Sequence, residues 1–185
     1  MKHIVLTGGI GSGKSYVCSL LKKRGITVYD CDDAAKRIMR TSSEVITALK
    51  HLVGDDVYTS DGTLNKACMA AFILKSEDNA AAVNAIVHPA VGNDFIVSGM
   101  QWMECAILFE SGFDRYADVI ICVTAPEEVR VERIMKRDGI TREKALQWIG
   151  CQMSQHEVVS RSTYEIVNDG TTDIEKQIED ILNKL

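Results

Sequence analysis

Short apolar runs alternate along the chain with longer stretches in which apolar residues recur every three or four positions. The runs Ile4–Thr7, Thr27–Tyr29, Trp102–Leu108, Val119–Thr124 and Tyr164–Val167, most of them bounded by Gly, Asp or Pro, predict five strands. Val17, Leu20 and Leu21 mark the core face of a helix that ends at Gly25, a residue suited to the left-handed cap. A helix is expected from Asp32 or Asp33, and another after Ser42-Ser43-Glu44 with Val45, Leu49 and Leu52 on one face. Glu127-Glu128 open a helix that breaks at Asp138-Gly139 and resumes from Thr141, and Ile174, Ile178, Ile181, Leu182 and Leu185 form the stripe of a closing helix. Strands separated by helices pair in parallel, because each crossover returns the chain to the same end of the sheet. The expected architecture is therefore α/β, with three layers around a five-stranded parallel sheet.

Between Ser60 and Gly99 no strand run of comparable strength occurs, and the Asp61-Gly62 turn opens a helical stretch expected to break at His88-Pro89. One domain over residues 1–185 is expected, with a core of about 1–59 and 100–185 and a helical subdomain of about 60–99 inserted between two strands.

Composition narrows the partners. Lys+Arg number 21 and Asp+Glu 26, a net charge of −5, which is the wrong field for a protein that gains affinity by neutralising nucleic-acid phosphates. An anionic ligand must then meet a local positive pocket. The six cysteines show no paired spacing and several sit in apolar runs, so they read as small hydrophobes in a reducing compartment. With no run of 18 apolar residues and no signal-peptide core, a cytoplasmic protein without membrane or nucleic-acid partners is expected. Nothing in the pattern specifies an oligomeric state.

Gly8-Gly9-Ile10-Gly11-Ser12-Gly13-Lys14-Ser15 follows the first strand and opens a helix, the context in which G-x-x-x-x-G-K-[ST] binds phosphates. Gly8, Gly9, Gly11 and Gly13, with Ser12, let successive N–H groups converge on an anion beside a helix N-terminus. Lys14 is expected to bridge β- and γ-phosphate oxygens, Ser15 to ligate Mg²⁺, and Tyr16 to start the helix proper near the α-phosphate. The loop implies a nucleoside triphosphate with Mg²⁺, and the absence of N-K-x-D and D-x-x-G motifs argues against a GTPase. A small-metabolite kinase fits better. It needs a base for an acceptor hydroxyl, a second substrate pocket and a mobile arginine-bearing lid, here about 130–150.

The chain resembles the dephospho-coenzyme A kinases nearly end to end. The resemblance rests on Leu6 through Ser15, Val28-Tyr29-Asp30-Cys31-Asp32, Ser60-Asp61-Gly62-Thr63-Leu64, His88-Pro89, Ile107 through Gly112, Arg133 with Arg137, Gln152, and Asn168-Asp169-Gly170. It implies a nucleoside-monophosphate-kinase-like fold that transfers the ATP γ-phosphoryl to the ribose 3′-hydroxyl of dephospho-coenzyme A, the last step of coenzyme A synthesis. Lys66 stands where an arginine is common, Ala106 replaces a frequent proline, and Arg130 occupies a common glutamine position.

The acceptor side follows from the second strand, whose carboxyl edge carries Asp30-Cys31-Asp32. Asp32 is the candidate base and Asp30 its orienter or a metal-water ligand; the plainer alternative is that one of these carboxylates caps the next helix. By resemblance, Glu104 is a Mg²⁺ or Mg²⁺-water ligand, against a strand-edge carboxylate facing solvent. The resemblance also puts His88 and Lys66 on the acceptor, against a helix stop with a solvated imidazole, and gives Glu110 a structural or acceptor-side contact. Arg133 and Arg137, four apart, could clamp phosphoryl oxygens from the lid, although Arg130, Arg133, Lys136 and Arg137 could equally form a solvated basic face. Asn168 and Gly170 fall in an adenine-binding loop by resemblance, or in a plain turn.

Overall fold

Continuous rather than alternating apolar strands require cover on both faces of a sheet, and the buried residues show it. In the computed structural model, which describes residues 2–185, Ile4, Val5, Leu6 and Thr7 of the first strand are all at most 2% exposed. The strands are β1 (Ile4–Thr7), β2 (Val28–Asp30), β3 (Trp102–Glu104), β4 (Val119–Thr124) and β5 (Tyr164–Val167), in the parallel order β2-β3-β1-β4-β5. Leu6 lies beside Glu104 on one side and Ile121 on the other. The helices are α1 (Lys14–Lys23), α2 (Cys31–Thr41), α3 (Ser43–Val53), α4 (Lys66–Ile73), α5 (Glu77–Ser98), α6 (Glu127–Asp138), α7 (Arg142–Gly150), α8 (Gln155–Ser160) and α9 (Ile174–Leu182).

The chain forms two compact units, one running to Tyr29 and resuming over Met100–Leu185, the other spanning Asp30–Gly99. In the sheet unit, Val17, Leu20 and Leu21 of α1 and Ile178 and Ile181 of α9 pack with Leu6, Ile121 and Ile166 into one apolar cluster. A second cluster joins Val131 and Ile134 of α6 to Ala145 of α7, with Ile10 of the glycine-rich loop packed against it.

Three expectations change. The helical unit begins at Asp30, not near residue 60, because α2 and α3 pack on α5 inside it. Helix α5 runs unbroken through His88-Pro89. Pro89 has no N–H to give to the previous turn, but Val83, Val87, Val91 and Phe95, spaced by four, bury one stripe on both sides of it and hold the helix together. The same helix is long and apolar enough to cross a membrane, with a mean hydropathy of 1.2 over 18 residues, yet that stripe faces the interior of its own unit. The run Trp102–Leu108 is strand only to Glu104. The Cys105 N–H donates to the Leu6 carbonyl at 3.0 Å, after which Ser111 and Phe113 N–H groups fold back onto Ile107 and Leu108 carbonyls and bury Leu108 and Phe113 from a loop.

Burial also orders the thiols. Cys122 is 0% exposed on β4, and burial, reinforced by the nearby Glu165 carboxylate, pushes its pKa up to about 12, whereas Cys151 is exposed. Iodoacetamide at pH 8 should therefore label Cys151 of the native protein well before Cys122, as peptide mass mapping would show; rapid native labelling of Cys122 would contradict the burial. Because folding holds this thiol protonated, its contribution to stability is complete below the ordinary thiol pKa of 9.0 and is lost as pH rises toward 12.

Candidate active site

Strand β1 ends at Thr7, and the next six residues must turn the chain into α1 without side chains in the way. Gly8 has φ +144° and passes so close to the Val123 carbonyl that any Cβ would collide with backbone. Gly13, at φ +97°, is the N-cap of α1 and supplies no capping side chain, and the first turn of α1 carries no acidic residue. The helix thus presents uncapped N–H groups and its positive dipole end to the loop. It starts at Lys14, two residues before Tyr16, which is 51% exposed in the first turn beside an exposed Ser15.

Lys14 is 9% exposed and folds back over the loop. Its Nζ donates to the Gly8 carbonyl at 2.6 Å and lies 4.0 Å from Glu104 Oε1, which the β1–β3 register brings to the same end of the sheet. Glu104 therefore has a partly buried, cationic neighbour and does not face open solvent.

The carbonyls of Ile10, Gly11 and Ser12 are taken by side chains from α6 and from the end of β5. Arg133 Nη1 donates to the carbonyls of Gly11 and Ser12 at 3.4 and 3.3 Å, and its Nη2 to Asn168 O and Oδ1, both at 3.1 Å. Asn168 is buried and gives its Nδ2 to Ser12 O at 2.8 Å. Arg130 Nε donates to Ile10 O at 2.9 Å. In a trans peptide the N–H points opposite to the C=O. Holding the carbonyls of Ile10 and Ser12 outward consequently turns the N–H groups of Gly11 and Gly13 to the inner side, where an anion would sit, while the Ser12 N–H donates to the Gly9 carbonyl at 3.1 Å and closes the turn of the loop. Among the described residues, the Ser12 Oγ is the one fully buried side-chain oxygen or nitrogen without a hydrogen-bond partner, and it too belongs to this loop.

The four basic residues of α6 do not share one environment. Arg130 is 5% exposed and Arg133 is half-buried against the loop, whereas Lys136 and Arg137 are exposed. Arg137 is ion-paired to its neighbour Asp138 at 2.7 Å, and that hydrogen bond holds its guanidinium pKa above the ordinary value. It stands one residue before Asp138-Gly139, where Gly139 at φ +65° ends the helix. The half of α6 nearer its N-terminus is thus anchored to the loop by Arg130 and Arg133, and Ala145 of α7 packs against Val131 and Ile134 beside it.

Other sequence-derived residues fall as follows. Asp30 ends β2 and caps α2, its Oδ1 accepting from Asp33 N at 2.9 Å, so the cap is Asp30 while Asp32 projects from the first turn, exposed. Lys66 is the exposed first residue of α4, and His88 lies midway along α5, partly exposed. Glu110 accepts from Met153 N at 3.1 Å and ties its loop to the turn after α7. Gly170 is exposed, in a turn closed by Asp169, whose carboxylate accepts from the N–H groups of Thr171 and Thr172, each at 2.8 Å.

The family model for dephospho-CoA kinase matches residues 2–173. A dephospho-CoA kinase of Bacteroides fragilis is 40% identical over 97% of this chain and 90% of its own length. The chain belongs to the dephospho-CoA kinase family. The dephospho-CoA kinase of Chlorobaculum tepidum is 36% identical over 97% of the chain and 93% of its own length. Among solved structures, TT1252 from Thermus thermophilus superposes over 100% of the chain and 97% of its own, with a TM-score of 0.85 and 30% identity.

Two contacts of this family member were not read as site residues from the sequence: Arg130, and Gln152, whose Oε1 accepts from Ile10 N at 2.7 Å. For Arg130 the signal was helical spacing. Arg130 and Arg133, three apart and flanking buried Val131 and Ile134, had to face inward with the apolar stripe.

Gly8→Ala tests the close passage of the loop. A methyl group at φ +144° against the Val123 backbone should cost about 3 kcal/mol of stability and lower Tm by several degrees, with loss of nucleotide binding measured by calorimetry. A variant as stable as the parent would show that the loop does not pass the β4 end as described.

Proposed function

We propose that this protein transfers the γ-phosphoryl group of ATP to the ribose 3′-hydroxyl of dephospho-coenzyme A, giving coenzyme A and ADP, the last step of coenzyme A biosynthesis. The observation that carries the reading is the loop itself: three successive carbonyls held outward and a nearly buried lysine folded over it, in a chain of this family. Lys14 exchanges its contact with Gly8 O for phosphate oxygens and stabilises charge on the transferring group. Arg137, exposed at the end of α6, exchanges its surface ion pair with Asp138 for the phosphates. Arg133 acts from behind the loop by fixing its carbonyls.

The donor set fits Mg²⁺. Among the described residues there is no cluster of three or more His, Cys, Asp or Glu side chains suited to a metal, and Mg²⁺ in such sites takes most of its ligands from phosphates and water. Ser15 Oγ and the Glu104 carboxylate are the side chains that would hold it, Glu104 through a water. The ion supplies neutralisation of phosphate charge when bound.

A ribose hydroxyl is a poor nucleophile, and a carboxylate must orient it and take its proton. Asp32 suits this role because it is exposed beyond the carboxyl end of β2, whereas Asp30 is occupied as a helix cap. His88 and Lys66, both on the helical unit, are assigned to the acceptor, and the loop around Asn168 and Gly170 to the adenine side. The buried thiols fit a reducing, cytoplasmic setting.

A panel of hydroxyl acceptors with coupled ADP detection tests the reaction: turnover should be fastest with dephospho-coenzyme A, and preference for an unrelated hydroxyl compound would overturn the assignment. Lys14→Ala should lower kcat at least 10²-fold, about 3 kcal/mol of transition-state stabilisation, with the fold retained. Asp32→Asn should lower transfer by about 10²- to 10⁴-fold with ATP affinity within a few-fold of the parent. By contrast Asp30→Ala should chiefly remove a helix cap, at about 1 kcal/mol of stability; loss of transfer in Asp30→Asn with full activity in Asp32→Asn would reassign the base to Asp30.

A further inference from the structure

Ile10, at the apex of the phosphate loop, is gripped at both of its backbone polar groups by side chains from outside the loop. Its carbonyl accepts from Arg130 Nε at 2.9 Å, and its N–H donates to Gln152 Oε1 at 2.7 Å. Its side chain packs into the α6–α7 cluster of Val131, Ile134 and Ala145. The surrounding glycines show how close the grip is: a Cβ on Gly9 would strike the Arg130 guanidinium, and one on Gly11 would lie 2.7 Å from the Arg130 carbonyl.

From this arrangement we infer that Arg130 and Gln152 are positioning residues that clamp Ile10 and hold the loop in its phosphate-binding form before the nucleotide arrives. The Ile10 N–H is turned away from the anion, and the same clamp turns the Gly11 N–H toward it, because the Ile10 carbonyl on the same peptide is held outward. Affinity then rises because the loop pays no ordering cost on binding. A buried arginine suits the task. Arg130 is 5% exposed, so its side chain has little freedom left to lose, and its Nε–H direction is fixed by the guanidinium plane. The clamp also fastens α6 and the turn after α7 to the loop, and Ala145 of α7 packs with Val131 and Ile134 of α6 behind it.

The inference rests on the reading of the loop as an ATP site, and the parent protein separates the two. ATP and inorganic triphosphate are titrated by calorimetry into the parent and into Arg130→Met, Gln152→Leu, the double variant and Arg130→Gln, with near-ultraviolet circular dichroism as the check on folding. Arg130→Met and Gln152→Leu should each weaken ATP and triphosphate binding by about tenfold, since either loss frees the apex. KM for dephospho-coenzyme A should stay within twofold. The double variant should lose less than the product of the single losses, because one opened clamp leaves the second tether little to hold. Arg130→Gln, which returns an N–H donor for the Ile10 carbonyl, should recover most of the affinity. If Arg130→Met does not fold, Gln152→Leu carries the test alone. ATP binding within twofold of the parent in a folded single variant, or fully multiplicative losses in the double, would overturn the clamp. Failure of the parent to bind ATP or triphosphate would instead overturn the reading of the loop.

Discussion

Everything at this site depends on where six peptide groups point. A phosphate loop works because its N–H dipoles converge, and an isolated glycine-rich turn has no reason to hold them that way, since glycine is the residue with most conformational freedom to lose. Here the orientation is set from the back. The carbonyls of Gly8, Ile10, Gly11 and Ser12 accept from Lys14, Arg130, Arg133 and Asn168, and each accepted bond fixes the opposite face of a peptide. Three of those donors come from elements more than 100 residues away in sequence, so the loop's shape belongs to the fold and not to the local motif.

This explains why so much positive charge gathers in a chain of net charge −5. Burying Arg130 is costly, and desolvation holds its pKa below the ordinary guanidinium value while leaving it charged. The cost is offset by its bond to the loop and by a local positive field that survives the acidic surface. Arg133 and Lys14 add to that field from either side of the loop. Arg137, exposed and paired to Asp138, is held by nothing that binding would have to break at great expense.

Much of this was legible in the sequence and some was not, for definite reasons. Strands β1 and β4 were readable to the residue because two-sided burial writes continuous apolar runs between polar breaks, whereas β5, at the sheet edge with Glu165 exposed, was readable from its β-branched and aromatic residues before the Asn168-Asp169-Gly170 turn. Trp102–Leu108 misled because Leu108 is buried from a loop, which leaves the same apolar signature as a strand. His88-Pro89 suggested a break because proline opposes helix locally, yet the Val83-Val87-Val91-Phe95 stripe outweighs one missing hydrogen bond. At the site, the motif announced the anion-binding loop, whereas the roles of Arg130 and Gln152 required knowing which distant helix lies behind it. The basic run of α6 looked uniform in sequence. Its division into two loop-binding arginines and two exposed cations comes from helical phase against a buried stripe.

The site therefore depends on a loop formed before its ligand binds. Site-resolved amide hydrogen exchange on the nucleotide-free protein measures this directly, because the Ile10 and Ser12 N–H groups are bonded to Gln152 Oε1 and Gly9 O. Both amides should exchange at least about 100-fold more slowly than in an unstructured peptide, with only a modest further slowing when ATP is added. Exchange at the unstructured rate without nucleotide, with protection arising only on ATP binding, would contradict it.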